Sequence, residues 1–123
     1  MTSDELVARA EAAAANAYAP YSRYLVGATV LTRDGRVFDG VNVENAAYPL
    51  GVCAEKVAIA KAASDGVRPG DIRAIGITAS PCGGCRQWTH EWRIQRVAFR
   101  RSDGTIAEYS AAELLPETWD LPA

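Results

Sequence analysis

The stretch Asp71–Arg101, DIRAIGITASPCGGCRQWTHEWRIQRVAFRR, carries the reading of the fold. Ile72, Ala74, Ile75 and Ile77 mark a buried strand over Asp71–Ala79. Arg86–Trp92 reads as a helix and Ile94–Arg101 as a second strand. A strand, a helix and a strand in that order imply parallel pairing, with the helix crossing one face of the sheet. Between the first strand and the helix lies Pro81-Cys82-Gly83-Gly84-Cys85. A Cys-x-x-Cys turn brings two sulfurs to one side, and the adjacent glycines are expected to give that turn unusual backbone angles.

Upstream, Ser3 is expected to cap an alanine-rich helix over Asp4–Ala17, which Pro20 ends. Tyr24–Thr32 and Arg36–Asn42 read as strands joined by Asp34-Gly35, a two-residue hairpin turn. A loop over Val43–Val52 leads to Cys53 and a good helix, Ala54–Ser64, rich in Ala, Lys and Ile. Downstream, Thr105–Tyr109 pairs with the 94–101 strand around Asp103-Gly104. Ser110 then caps a short helix to Leu115, stopped by Pro116. This order predicts an α/β fold in one domain over residues 1–123, a three-layer α/β/α sandwich whose five-stranded mixed sheet has helices on both faces. Both cysteine groups then fall at helix starts beyond strand ends, where open α/β sheets place their sites.

The chain has three cysteines, Cys53, Cys82 and Cys85. Helix N-termini favour thiolates through free N–H groups and the helix dipole, and thiolates are what zinc binds. Three such ligands leave a tetrahedral zinc one open position, where water is activated. Glu55, two residues after Cys53, can stand beside that water as a proton carrier. The alternatives for the cysteines are buried small hydrophobes or a Cys82–Cys85 disulfide, the latter requiring an oxidising compartment. Glu55 alone could equally be a first-turn acid that suits the helix dipole.

Hydrophobic residues make up 49% of the chain, charged residues 23%, and the formal net charge is -2. That balance suits a soluble globular protein and argues against a broad basic nucleic-acid footprint. Arg93, Arg96, Arg100 and Arg101 read as the exposed side and end of a strand. No apolar run approaches the ~20 residues needed to span a bilayer, and the N-terminus carries no basic-then-apolar leader. No membrane partner is expected, and the expected location is cytoplasmic.

Cys53-Ala54-Glu55 together with Pro81-Cys82-Gly83-Gly84-Cys85-Arg86-Gln87 resembles the small homotetrameric type of cytidine deaminase. Tyr21-Ser22 before Val26-Gly27-Ala28, Asn42-Val43-Glu44-Asn45 and Leu114-Leu115-Pro116 extend the resemblance over roughly residues 5–119. It implies the cytidine deaminase-like fold, one Zn²⁺ per subunit on the three cysteines, and hydrolytic removal of the C4 amino group of a cytosine nucleoside. In zinc deaminases generally a hydroxide on zinc attacks the ring and a glutamate moves the protons, a role that falls here to Glu55. Asn42 and Glu44 match the family's ribose clamp on the sugar 3′-hydroxyl. The backbone of Ala54 is expected at the pyrimidine edge and Tyr24 against the base. Tyr48 and Trp119 match aromatics that approach a neighbouring subunit's pocket, which implies a homotetramer with shared sites and no nucleic-acid partner.

The chain departs from the family at Lys56, where Arg is usual, and at Trp119, where Phe is usual. Lys56 supplies a cation near the thiolates without the planar fork of Arg, or else points to solvent. Arg86 remains a second cation beside them. Trp88 and Trp92 share a helix face and are expected in core or interface packing, with His90 at the surface or an interface. Two other functions fit the same residues: a deaminase of modified cytosine nucleosides of the blasticidin type, and a zinc-stabilised binding protein without catalysis. A fourth protein ligand on the zinc would favour the last.

Overall fold

The computed structural model describes residues 1–122, so the last residue of the expected 1–123 domain lies outside the described residues. The elements are α1 (Ser3–Ala14), β1 (Gly27–Thr32), β2 (Val37–Val41), α2 (Ala54–Ser64), β3 (Ile72–Ile77), α3 (Gly83–Glu91), β4 (Arg96–Arg100), β5 (Ile106–Tyr109) and α4 (Ala111–Leu114), with a 3₁₀ turn at Tyr48–Leu50. Five strands form one sheet in the order β2-β1-β3-β4-β5. β3 and β4 run parallel and every other pair is antiparallel. The strand–helix–strand unit thus pairs as expected.

Strand alternation assigns the layers. Leu31 and Ala74 face α1, where they meet Leu6. Val30, Ile75 and Ile77 face the other way, onto Ala54, Ala58, Ile59 and Ala62 of α2. Trp88 and Trp92 are partly buried against that same core, as expected for a shared face. Small residues set the depth of packing. A Cβ on Gly40 would stand 2.4 Å from the Ala58 backbone nitrogen, and one on Gly76 would stand 2.6 Å from the backbone of Leu6. Neither contact could relax by moving a side chain, so β2 brings α2, and β3 brings α1, into backbone contact.

Several boundaries differ from the sequence expectation. Thr2, not Ser3, caps α1, because Thr2 and Glu5 complete a reciprocal capping box. α1 stops at Ala14, and the Tyr18 amide is drawn to the Asn42 carbonyl at 3.0 Å. The hairpin turn is three residues, since the Thr32 amide donates to the Arg36 carbonyl at 2.9 Å and Gly35 takes φ 91°. β1 begins only at Gly27. Residues 24–26 are instead held by the Asn42 side chain, which accepts from the Val26 amide and donates to the Tyr24 carbonyl. α2 and the Ser110 cap of α4 occur where expected. The arginines at the ends of β4 are paired, Arg100 with Glu11 at 2.8 Å and Arg96 with Glu108 at 3.8 Å. Among the described residues no helix is long and apolar enough to cross a membrane.

Candidate active site

Cys53 and Cys82 occupy equivalent positions, each the N-cap of a helix with extended backbone angles. α2 starts because Cys53 leaves the helical region while its carbonyl accepts from the Val57 amide at 3.2 Å. α3 starts earlier than the sequence suggests, at Gly83, which places Cys85 inside its first turn. Gly83 and Gly84 therefore adopt ordinary helical geometry, and the expectation of unusual angles fails there. Their use is space. A Cβ on Gly84 would lie 3.5 Å from Lys56 Nζ and 4.0 Å from Cys82 Sγ. Lys56 thus extends over the cysteine loop. The Arg86 guanidinium donates to Pro81 O, Leu114 O and Ser80 Oγ, stapling the loop to α4.

The three sulfurs lie within 4.8 Å of one another. A tetrahedral zinc with Zn–S bonds of about 2.3 Å requires sulfurs about 3.8 Å apart. Cys53 Sγ and Cys82 Sγ are 3.9 Å apart. All three cysteines are free, which removes the disulfide alternative, and among the described residues no fourth Cys, His, Asp or Glu joins the cluster. Burial pushes the Cys85 and Cys53 thiols up, each further raised by neighbouring anionic groups. Cys82 is also opposed by burial, but the Cys85 amide, which donates to its sulfur at 3.5 Å, brings it below the ordinary thiol range. A trio of thiols with this balance is stabilised as thiolates by a bound dication, which inverts the local electrostatics. The donor set, its spacing and its three-fold count fit zinc.

Glu55 follows Cys53 by two residues and is 4% exposed. Burial raises its carboxyl above the ordinary range, partly offset by its own amide and by Cys85. Both residues border a cleft of about 780 Å³, within the usual range for small-molecule sites. Tyr24, Asn42, Glu44, Tyr48, Cys53, Ala54, Glu55 and Cys82 line it. Cys85 lies behind the lining, fully buried. Tyr48 borders the cleft of its own chain and is 91% exposed on the 3₁₀ turn. Trp119 is absent from the lining and 71% exposed. His90, on α3, pairs with Asp120 at 2.7 Å and so ties the C-terminal segment to that helix.

The far side of the cleft belongs to the loop before β1. Glu44 Oε1 accepts from the Tyr21 and Ser22 amides at 2.9 and 3.1 Å, and Oε2 accepts from the Ser22 hydroxyl. These bonds, the hydroxyl's foremost, hold the Glu44 carboxyl below its ordinary range against a smaller desolvation effect. Ser22 and Val26 line the cleft but carry no role in the sequence reading. The available signal was a serine two residues before an aromatic expected against the ligand, with a carboxylate and an amide two apart on the facing strand end.

The model of the cytidine and deoxycytidylate deaminase zinc-binding region matches residues 1–101. A cytidine deaminase of Sporosarcina psychrophila is 40% identical over 94% of this chain and 90% of its own length. One from Halalkalibacterium halodurans is 43% identical over 90% and 89%. The crystal structure of cytidine deaminase from Burkholderia pseudomallei superposes with a TM-score of 0.90 at 41% identity, covering 97% of this chain and 100% of that one.

Proposed function

The chain belongs to the cytidine and deoxycytidylate deaminase family, and on that premise we propose that it converts cytidine or deoxycytidine and water to the uracil nucleoside and ammonia. It is a zinc-dependent hydrolase of the cytidine deaminase type. The observation that carries this reading is the burial of Glu55 at the wall of an apolar cleft, beside three sulfurs at zinc spacing.

Cys53, Cys82 and Cys85 would hold the ion. Zinc held there supplies Lewis acidity that makes water a nucleophile at neutral pH. Glu55 takes a proton from the attacking water and delivers it to N3 of the ring. It then takes the remaining proton from the hydroxyl added at C4 and passes it to the departing amine as the C–N bond breaks, so that one carboxylate serves each transfer. Its buried setting suits this work, because burial raises the carboxyl above its ordinary range and makes it a better proton acceptor than an exposed glutamate. Asn42 and Glu44 bind the sugar hydroxyl, the Ala54 backbone meets the pyrimidine edge, and Tyr24 packs against the base. Lys56 offsets part of the thiolate charge.

The assembly we propose is a homotetramer with shared sites. Tyr48, Leu50, Trp119 and Leu121 are each at least 66% exposed, which leaves these apolar side chains free to meet a neighbouring subunit. Light scattering is expected to give a tetramer, and a fully active monomer would refute shared sites.

Ultraviolet absorbance of cytidine, deoxycytidine and a panel of modified cytosine nucleosides, with the zinc-loaded chain, tests the activity. Loss of the cytidine signal is the expected result. Inert cytidine with conversion of an analogue would move the substrate to the modified class. Silence across the panel with zinc bound would favour a binding protein, although the lack of a fourth ligand in the described cluster speaks against that reading.

A further inference from the structure

The clamp assigned to Asn42 and Glu44 can be counted atom by atom, resting on the deaminase reading above. Each carboxylate oxygen offers about two acceptor sites. Glu44 Oε1 has both taken, by the Tyr21 and Ser22 amides. Oε2 has one taken, by the Ser22 hydroxyl, and one left. Asn42 Oδ1 accepts from the Val26 amide at 2.8 Å and Nδ2 donates to the Tyr24 carbonyl at 2.8 Å. The reverse amide orientation would oppose donor to donor and acceptor to acceptor, so this orientation is fixed. One amide N–H of Asn42 remains.

A ligand hydroxyl is one donor and an acceptor. The groups left over match it in one way only: it donates to Glu44 Oε2 and accepts from Asn42 Nδ2. The oxygen that must receive the hydroxyl proton is therefore the one held by the side chain of Ser22, whereas Oε1 is held by backbone. The Ser22 hydroxyl itself accepts from the Tyr24 amide at 3.0 Å. A closed chain of bonds then runs from Glu44 through Ser22 to Tyr24 and on to Asn42, linking the sugar clamp to the residue assigned to the base. Arg23, between Ser22 and Tyr24, sits at φ 59°, a region uncommon for residues other than glycine. The network holds the turn in that shape.

We infer that Ser22 is a positioning residue for nucleoside recognition: its hydroxyl aims Glu44 Oε2 at the sugar hydroxyl and couples that contact to the Tyr24 wall of the base site. Ser22 does not itself touch the reacting atoms, so its removal acts on KM and on discrimination at the sugar, with kcat largely kept.

The test compares cytidine with 3′-deoxycytidine, using the zinc-loaded full chain as wild type, Ser22→Ala and Ser22→Thr. The wild type is expected to favour cytidine by about tenfold or more in kcat/KM. Ser22→Ala is expected to lose about tenfold on cytidine, mostly in KM, and little on 3′-deoxycytidine, so that the preference collapses. Ser22→Thr restores it. Zinc content and melting temperature stay near wild type. If Ser22→Ala fails to fold, Ser22→Val against Ser22→Thr isolates the hydroxyl at constant shape, and only the threonine variant is expected to discriminate. Equal losses on both substrates, or an undiminished preference in the alanine or valine variant, would overturn the inference while leaving the clamp intact. A wild type that turns over both nucleosides equally would remove the clamp itself, and one that turns over neither would remove the deaminase reading and this inference with it.

Discussion

Two glutamates border the same cleft, and their surroundings pull them in opposite directions. Glu55 lies at the start of α2, 4% exposed against the cysteines, and burial raises its carboxyl. Glu44 lies in the exposed loop after β2, and three hydrogen bonds from Tyr21 and Ser22 lower its carboxyl. The first corner is built on helix caps that backbone packing holds against the sheet. The second is built on side-chain bonds within two loops. In the proposed mechanism one residue type thus serves as a proton carrier in one corner and as a permanent acceptor in the other, and environment separates the two roles.

The contrast can be broken most severely at the cysteine corner. Stripping zinc with a chelator, or Cys85→Ser, is expected to abolish turnover and to lower the melting temperature by roughly 10 °C or more, with zinc restoring the chelated protein. Metal analysis and a thermal melt read this directly; unchanged activity without metal would end the zinc assignment. Glu55→Gln should keep zinc and fold yet lose about 10²–10⁴ in kcat. Substantial residual turnover in that variant would sink the proton-carrier role. In the other corner, Glu44→Gln is expected to lower kcat/KM for cytidine by about 10–100-fold, carried by KM, with Glu55 chemistry untouched. A fall confined to kcat would contradict the separation of roles.

The smallest effect concerns pH. Glu44 is lowered from the ordinary 4.5, so it is ionised above that value and loses its acceptor role only as pH falls through its still lower native value. The ratio of the uridine inhibition constant of the wild type to that of Glu44→Gln, in which titrations shared by the two cancel, should therefore stay flat from pH 7 to 5. A rise beginning above pH 5 would show that the Ser22 bond does not hold in solution.

Much of this architecture was legible from residue order. The alternation of strand and helix patterns predicted the mixed sheet, and α2 begins and ends at the expected residues because its alanines favour helix and the chain enters it from extended backbone at Cys53. The cysteine trio and Glu55 were legible because metal chemistry demands those residue types near helix starts. The glycines of the Cys-x-x-Cys run misled: read as turn formers, they are helical, and Lys56 lies over Gly84. Arg86, read as a cation available beside the cysteines, also donates to three oxygen acceptors that tie their loop to α4. Neither outcome follows from local propensity, since both depend on what the opposing element presents.

The sequence by itself therefore determined the fold class, the cysteine trio and the carboxylate beside it, because periodicity and metal-ligand chemistry are written in residue type and spacing. Only the tertiary structure decided which oxygen of Glu44 is free, which way the Asn42 amide faces and that Ser22 joins them. Those are hydrogen-bond partnerships between segments about twenty residues apart in sequence, and a donor's partner is set by where folding leaves an acceptor unfilled.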